Sequence, residues 1–178
     1  MRVMPLQFRA AGLEDIDALE RLVHAAYRGE ESLRGWTSEA TMLDGQRTDG
    51  DALAGMISRP GSRIVIAEDS GLAGCCHLAI DDGSAYLGLL SVWPDGQARG
   101  VGRALVEHAE HLARGAHARR LWMTVIRQRT ELIAWYARRG FHPTGETQPF
   151  PYGDQRFGVP KRPDLEFVVL EKRLEETT

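Results

Sequence analysis

Apolar residues recur along this chain with two periods, and the switches between those periods mark out its elements. Residues 6–10 alternate apolar and polar, as a half-buried strand does. After Gly12, apolar side chains at Leu13, Ile16, Leu19, Leu22, Val23 and Ala26 fall on one face of a helix that ends near residues 27–29. Residues 30–35 are polar and read as a loop. Residues 37–40, Thr-Ser-Glu-Ala, offer caps for a second helix with Met42 and Leu43 on its buried side. Residues 51–58 predict a short helix that Pro60-Gly61 stops.

Three apolar runs follow in series, at residues 63–68, 72–80 and 85–92. The breaks between them, Asp69-Ser70-Gly71 and Asp81-Asp82-Gly83, are short turns, so the runs pair as antiparallel hairpins. Val101, Leu105, Ala109 and Leu112 then return to helical spacing, to about Arg114. Residues 121–126 form another strand pattern. Residues 130–139 predict a short helix with Leu132, Ile133, Trp135 and Tyr136 at its apolar positions. Gly140 suits its C-terminal stop, and Arg138 and Arg139 suit its negative end. Residues 141–146 begin a strand, 149–163 make a long Pro/Gly/aromatic loop, and 165–170 make the last strand. Residues 171–178 form a polar tail expected to fray.

No repeat or linker divides the chain, so residues 1–178 read as a single domain: an α/β (α+β) fold with a mixed sheet and helices on its faces. A length of 178 residues with 43% hydrophobic content is enough for a substantial core. A net charge of −3 argues against nucleic acid or a membrane surface as partner. No apolar run is long enough to cross a bilayer, and the N-terminus lacks a signal-peptide core. The only cysteines, Cys75 and Cys76, are strand neighbours that point to opposite faces and pack as small apolar groups. That usage fits a reducing, cytoplasmic setting. The six histidines are scattered, with no zinc-ligand spacing, so no metal is expected.

The chemistry is concentrated in residues 92–106, Val-Trp-Pro-Asp-Gly-Gln-Ala-Arg-Gly-Val-Gly-Arg-Ala-Leu-Val. A strand ends here, the chain turns through glycines and a helix begins. The first N–H groups of a helix have no internal partner, and the helix dipole adds partial positive charge there, so such a mouth binds phosphate. Gly100 and Gly102 serve equally well as a plain strand-to-helix turn. The stretch is not a Walker loop, because Gly-Lys-Ser/Thr is absent, and the third glycine of a dinucleotide fingerprint is missing.

The wider spacing of Val92, Pro94, Gln97, Gly100, Gly102, Ala104 and Leu105 resembles the acyl-CoA pyrophosphate loop of the GNAT superfamily of N-acetyltransferases, in its Gln/Arg-x-x-Gly-x-Gly/Ala form. A second motif, Tyr136-Ala137-Arg138-Arg139-Gly140-Phe141, is similar to the family's Tyr-x-x-x-Gly-Phe after the strand that follows the CoA helix. The order of elements also matches, so the resemblance covers nearly the whole chain. It implies the acyl-CoA N-acyltransferase fold, a mixed sheet of about seven strands with helices on both faces. It implies direct acetyl transfer from acetyl-CoA to a primary amine of a small molecule or peptide.

On these residues the resemblance implies the following site. Backbone N–H groups of Gln97, Ala98, Arg99, Gly100, Val101, Gly102 and Arg103 hold the pyrophosphate, and Arg99 and Arg103 add charge or are surface residues. Leu90, Ser91 and Val92 offer backbone groups to the pantetheine where the family's strand is bulged and splayed. Tyr136 donates a proton to the departing thiolate. Many family members carry Asn where this chain has Arg129, which either meets a CoA phosphate or is a solvated helix-end charge. The strand before the loop has no carboxylate to serve as base, which leaves His77, Glu30 and Glu31 as candidates. The acceptor cleft of this fold is flanked by segments that here hold Tyr27, Glu31, Trp36 and Tyr152, together with Phe150 and Phe157. These aromatics either receive the acceptor, pin the loop or form a homodimer contact. Two other readings remain: a non-catalytic acyl-CoA-binding or regulatory domain of the same fold, and a nucleotide-binding α/β domain.

Overall fold

The computed structural model describes residues 4–36 and 38–175. Thr37, the last residues of the expected tail, and the side chains of Glu30, Ala98 and Phe157 lie outside what is described. The chain runs β1 (Gln7–Ala10), α1 (Ile16–Tyr27), α2 (Gly29–Ser32), β2 (Leu43–Asp44), α3 (Gly50–Ser58), β3 (Ser62–Glu68), β4 (Leu72–Asp81), β5 (Ser84–Val92), α4 (Val101–Gly115), β6 (Arg120–Ile126), α5 (Thr130–Ala137), β7 (His142–Pro149), β8 (Val159–Pro160) and β9 (Glu166–Arg173). Seven strands form one mixed sheet in the order β1-β3-β4-β5-β6-β9-β7. The β3-β4-β5 meander is antiparallel, as its Asp/Gly turns predict. The β5–β6 junction is parallel.

Two cores lie on opposite faces of the sheet. One packs Leu105, Val106 and Ala109 of α4, with Leu132 and Tyr136 of α5, against Val65, Cys76, Leu78 and Leu121. The other packs Leu19, Leu22 and Val23 of α1, with Leu53 of α3, against Ile64, Ile66, Cys75 and Leu89. Neighbours on a strand face opposite ways, and Cys75 and Cys76 accordingly divide between the two cores. Both are free and buried. Helix α4 settles on β4 at Gly74, where a Cβ would stand 2.8 Å from the Ser91 carbonyl oxygen and 3.0 Å from Leu105. Among the described residues no helix is long and apolar enough to cross a membrane.

Three expectations are corrected. Residues 30–32 of the expected loop belong instead to a short helix, Gly29–Ser32. Of the stretch from residue 37 to 43, read as a capped helix, residues 39–43 make a single turn, with the Met42 and Leu43 N–H groups both donating to the Glu39 carbonyl, before entering β2. The Glu39 side chain is drawn into a buried pair of arginines rather than lying along a helix. The tail does not fray at residue 171, because β9 continues to Arg173, with Glu171 opposite Trp122 and ion-paired to Arg120. The long loop is also tied down, since β8 pairs with β2.

The sheet is deliberately imperfect at its centre. His77 pairs with Gly88 and Cys75 with Ser91, so Leu89 and Leu90 together stand opposite the single residue Cys76. Leu89 takes a positive φ of 54° to make this bulge. Beside it, β5 and β6 pair only from Ser84 to Tyr86 and then part. The gap left between them positions the site.

Candidate active site

The Gly-rich stretch folds as a 3-10 turn, Pro94–Arg99, that hands over to α4 through Gly100 in the left-handed region, at φ 81°. A side chain would be strained there, which is one reason for a glycine at that position. Gly102 has another. A Cβ on Gly102 would come no closer than 3.7 Å to any neighbour, so protein packing does not require it to be bare. Leaving it bare keeps the mouth of a 15-residue helix open, with no acidic residue in its first turn. The unpaired N–H groups and the dipole at that mouth fit a diphosphate.

The mouth opens into a cleft of about 610 Å³, walled by Trp36, Val92, Gly102, Arg103, Trp135 and Arg139 among others. Trp36 packs against Trp135 at 5.8 Å between ring centroids, and the Arg139 guanidinium lies 3.6 Å over the Trp135 ring. Gln97 braces this wall. Its amide donates to the Val92 carbonyl and its Oε1 accepts from the Trp36 N–H at 2.9 Å. Arg103 is exposed and paired with Glu107 while lining the cleft. Arg99 pairs with Asp69 and does not line it.

A second cleft, of about 470 Å³, lies on the other side of the bulge. Tyr27, Leu90, Leu132 and Tyr136 line both. The Tyr27 hydroxyl donates to the Leu90 carbonyl, and the Ser91 hydroxyl donates to the Leu89 carbonyl at 2.9 Å, so two side chains hold the bulge in shape. Burial pushes the Tyr27 phenol up to about 12. Tyr136 is 5% exposed, and burial raises its phenol well above the ordinary tyrosine range, so it stays protonated. The ring is held edge-on between Trp135 and Phe141. Gly140, at φ 94°, ends α5 and turns Phe141 back under that ring, which explains the spacing of the Tyr-x-x-x-Gly-Phe motif.

His77 also lines the second cleft. The Ser62 hydroxyl donates to the Met56 carbonyl at 2.7 Å, so it accepts from His77 Nε2–H at 2.8 Å. That assigns the neutral tautomer and leaves Nδ1 as an acceptor. Burial, and then Arg59, lower the imidazole to about 4. Deeper in, Glu39 is held by Arg28 at 2.8 Å and Arg129 at 3.1 Å, all three nearly buried. Burial works against the Glu39 anion, but Arg129, Arg47 and Arg28 outweigh it and hold the carboxyl below its usual range. Burial likewise lowers the Arg28 guanidinium.

The fold moves several candidate residues away from the places their spacing suggests. Arg129 lies in the second cleft on Glu39, not at the helix mouth. Trp36 lines the first cleft rather than the second. Glu31 is exposed, paired with Arg34 and lines neither cleft. Tyr152 lines neither cleft. Its hydroxyl donates to the Arg162 carbonyl and accepts from the Leu165 N–H, which pins the long loop. Phe150 lines the second cleft. Arg28, Glu39 and Arg47 carry no signal in the sequence that marks them as site residues. Glu39 sits 11 residues from Arg28 and 90 from Arg129, so no local spacing could have joined them.

The fold is shared with known acetyltransferases. The ribosomal-protein-S18-alanine N-acetyltransferase of Escherichia coli superposes with a TM-score of 0.72 at 16% identity, over 98% of this chain and 97% of that one. An N-acetyltransferase from Staphylococcus aureus Mu50 gives 0.69 at 14% identity, over 96% and 99%. The PaiA N-acetyltransferase of Thermoplasma acidophilum, in complex with coenzyme A, gives 0.67 at 20% identity, over 96% and 99%. No curated protein sequence matches the chain. The model of the acetyltransferase (GNAT) family matches residues 22–141, which span the bulge, the glycine loop and the Tyr136 motif. The chain therefore belongs to the GNAT family of acetyltransferases, enzymes that use an acyl-CoA.

Proposed function

We propose that this acyltransferase passes the acetyl group of acetyl-CoA directly to a primary amine of a small molecule or peptide. The observation that carries the reading is the meeting of two clefts at Leu90 and Tyr136, the first of them opening from the bare mouth of α4. The N–H groups of residues 100–103 and the α4 dipole would hold the diphosphate. Arg103, Arg138 and Arg139 add positive charge along that wall. Beyond Tyr86, β5 has no ladder partner on its β6 side, so its main chain can pair with an extended amide-bearing arm. Bound acetyl-CoA supplies the activated acyl carbon.

Confinement of amine and thioester on either side of one bulge provides much of the rate through positioning. The attacking nitrogen must arrive uncharged. Nδ1 of His77 is an acceptor that stays neutral near pH 7, suited to receive a hydrogen bond from such an amine. As the C–N bond forms and the C–S bond breaks, Tyr136 gives its proton to the sulfur, the nitrogen loses a proton to solvent, and a proton taken back from solvent restores the phenol.

The test is calorimetric titration with acetyl-CoA, together with release of the CoA thiol over a panel of amines. Gly102→Glu adds a carboxylate at the helix mouth without a packing clash at Cβ. It should weaken acetyl-CoA binding at least ~100-fold, since it sets an anion against the diphosphate where the dipole favours one. Unchanged affinity would reject the site. Tight binding with no turnover for any amine would reject the activity.

A further inference from the structure

The second cleft holds more positive charge than its carboxylate balances. Among the described residues lining it, Arg28, Arg47 and Arg129 bring guanidiniums, and Glu39 brings the one carboxylate. Glu39 is already engaged at both oxygens by Arg28 and Arg129. Arg47 has no carboxylate within ion-pair distance among the described residues. It lies half-buried over the Tyr27 ring, 5.4 Å from the centroid. Arg129 lies against the same ring at 5.7 Å. Low-dielectric walls focus such a field and draw in an anion. The planar fork of Arg47 matches a carboxylate in particular.

Tyr27 ties this patch to the reacting centre. Its ring carries the two guanidiniums, and its hydroxyl is bonded to the Leu90 carbonyl in the bulge where the clefts meet. Only the breadth of one tyrosine separates the two places. An acceptor spanning them needs its anionic group a few bonds from its nitrogen. Met56, Phe150 and Phe167 line the same cleft and give its remainder apolar surroundings.

We infer that the acceptor is a small amino carboxylate, whose carboxylate is met by Arg47 and whose amine is presented at the bulge. This rests on the amine-acetylating reading above. It also accounts for activation of the nucleophile, because nearby guanidiniums disfavour the ammonium form and so favour the neutral amine. A polypeptide N-terminus is the poorer occupant, because its main-chain carboxylate lies at the far end of the chain.

The test compares matched acceptors: α-amino acids with apolar side chains, their carboxamides and their decarboxylated amines. In the wild type the acid should show about 10-fold or higher kcat/KM, expressed in KM, as expected for loss of a charge-assisted fork. In Arg47→Gln this preference should collapse to about 3-fold or less, and Arg47→Lys should restore part of it. Calorimetry in the presence of CoA supplies a readout without turnover: N-acetyl amino acids should bind more tightly than N-acetyl amino-acid amides, and Arg47→Gln should erase the difference. Equal kcat/KM within each matched set, or N-acetyl acids binding no more tightly than their amides, would overturn the inference while leaving the amine reading intact. Acetylation confined to peptide N-termini would overturn it too. Absence of acetyl-CoA binding would instead remove the reading beneath it, and the N-acetyl acid titration would still show whether Arg47 selects a carboxylate.

Discussion

Changing Glu39 to Gln tests whether the second cleft is held open against its own charge. Glu39 is 6% exposed, and its two oxygens meet Arg28, 2% exposed, and Arg129, 8% exposed. Glutamine keeps the size and one acceptor but leaves the guanidiniums facing one another without an anion. Removing one partner of a buried ion pair costs about 3–5 kcal/mol. For a domain of this size each kcal/mol moves Tm by about 2–4 °C, so Tm should fall by roughly 6–20 °C. The sign of the pH dependence is also set. The folded-state pKa of Glu39 lies below the ordinary value of 4.5, so its contribution is complete above that pH and is lost as pH falls through the lower folded value. Urea unfolding of wild type and variant at neutral pH, repeated down to acid, should show a gap that narrows below pH ~4.5. A neutral-pH gap under ~1 kcal/mol, typical of exposed pairs, or a gap indifferent to pH, would refute the reasoning.

Tyr136→Phe should lower kcat about 10²-fold while acetyl-CoA affinity changes little, as expected for loss of a general acid; steady-state kinetics beside calorimetry checks this, and full activity would remove the assignment. Gly74→Val should destabilise the fold by about 1–3 kcal/mol, because its side chain would meet the Ser91 carbonyl and Leu105 beneath α4. Gly71→Ala, where nothing lies within 4 Å, is the control and should change stability by less than about 0.5 kcal/mol. His77 contributes stability that is complete above pH 6.5 and is lost as pH falls toward its folded value of about 4, since the unfolded chain takes up the proton first. The loss amounts to roughly 2–4 kcal/mol across that window, and His77→Gln should flatten the slope in a pH series of urea midpoints.

Local signals sufficed for much of the fold. The Asp/Gly turns marked the meander because so short a turn can join two strands only in the antiparallel sense. The two-period pattern placed β3, β4, β5, α4 and α5 within a few residues. They failed where a tertiary partner took over a local role. The backbone at Glu39 could have capped a helix, but a buried carboxylate flanked by two arginines gains more from ion pairing than from lying along one. Residue 171 looked like tail because nothing in its neighbours announces that β6 will pair with it.

The sequence by itself determined the helix mouth at Gly100–Gly102 and the Tyr136–Phe141 turn, because both are local: one φ, one missing side chain and one helix stop define each. Tertiary structure alone decided that Tyr27 braces the bulge, that β5 and β6 part beyond Tyr86, and that Arg28, Arg47, Arg129 and Glu39 converge in one cleft. Those arrangements depend on which distant segments the sheet order brings side by side. Spacing along the chain carries no record of that order, which is why the glycine turn and the Tyr136 helix stop were legible and the lining of the second cleft was not.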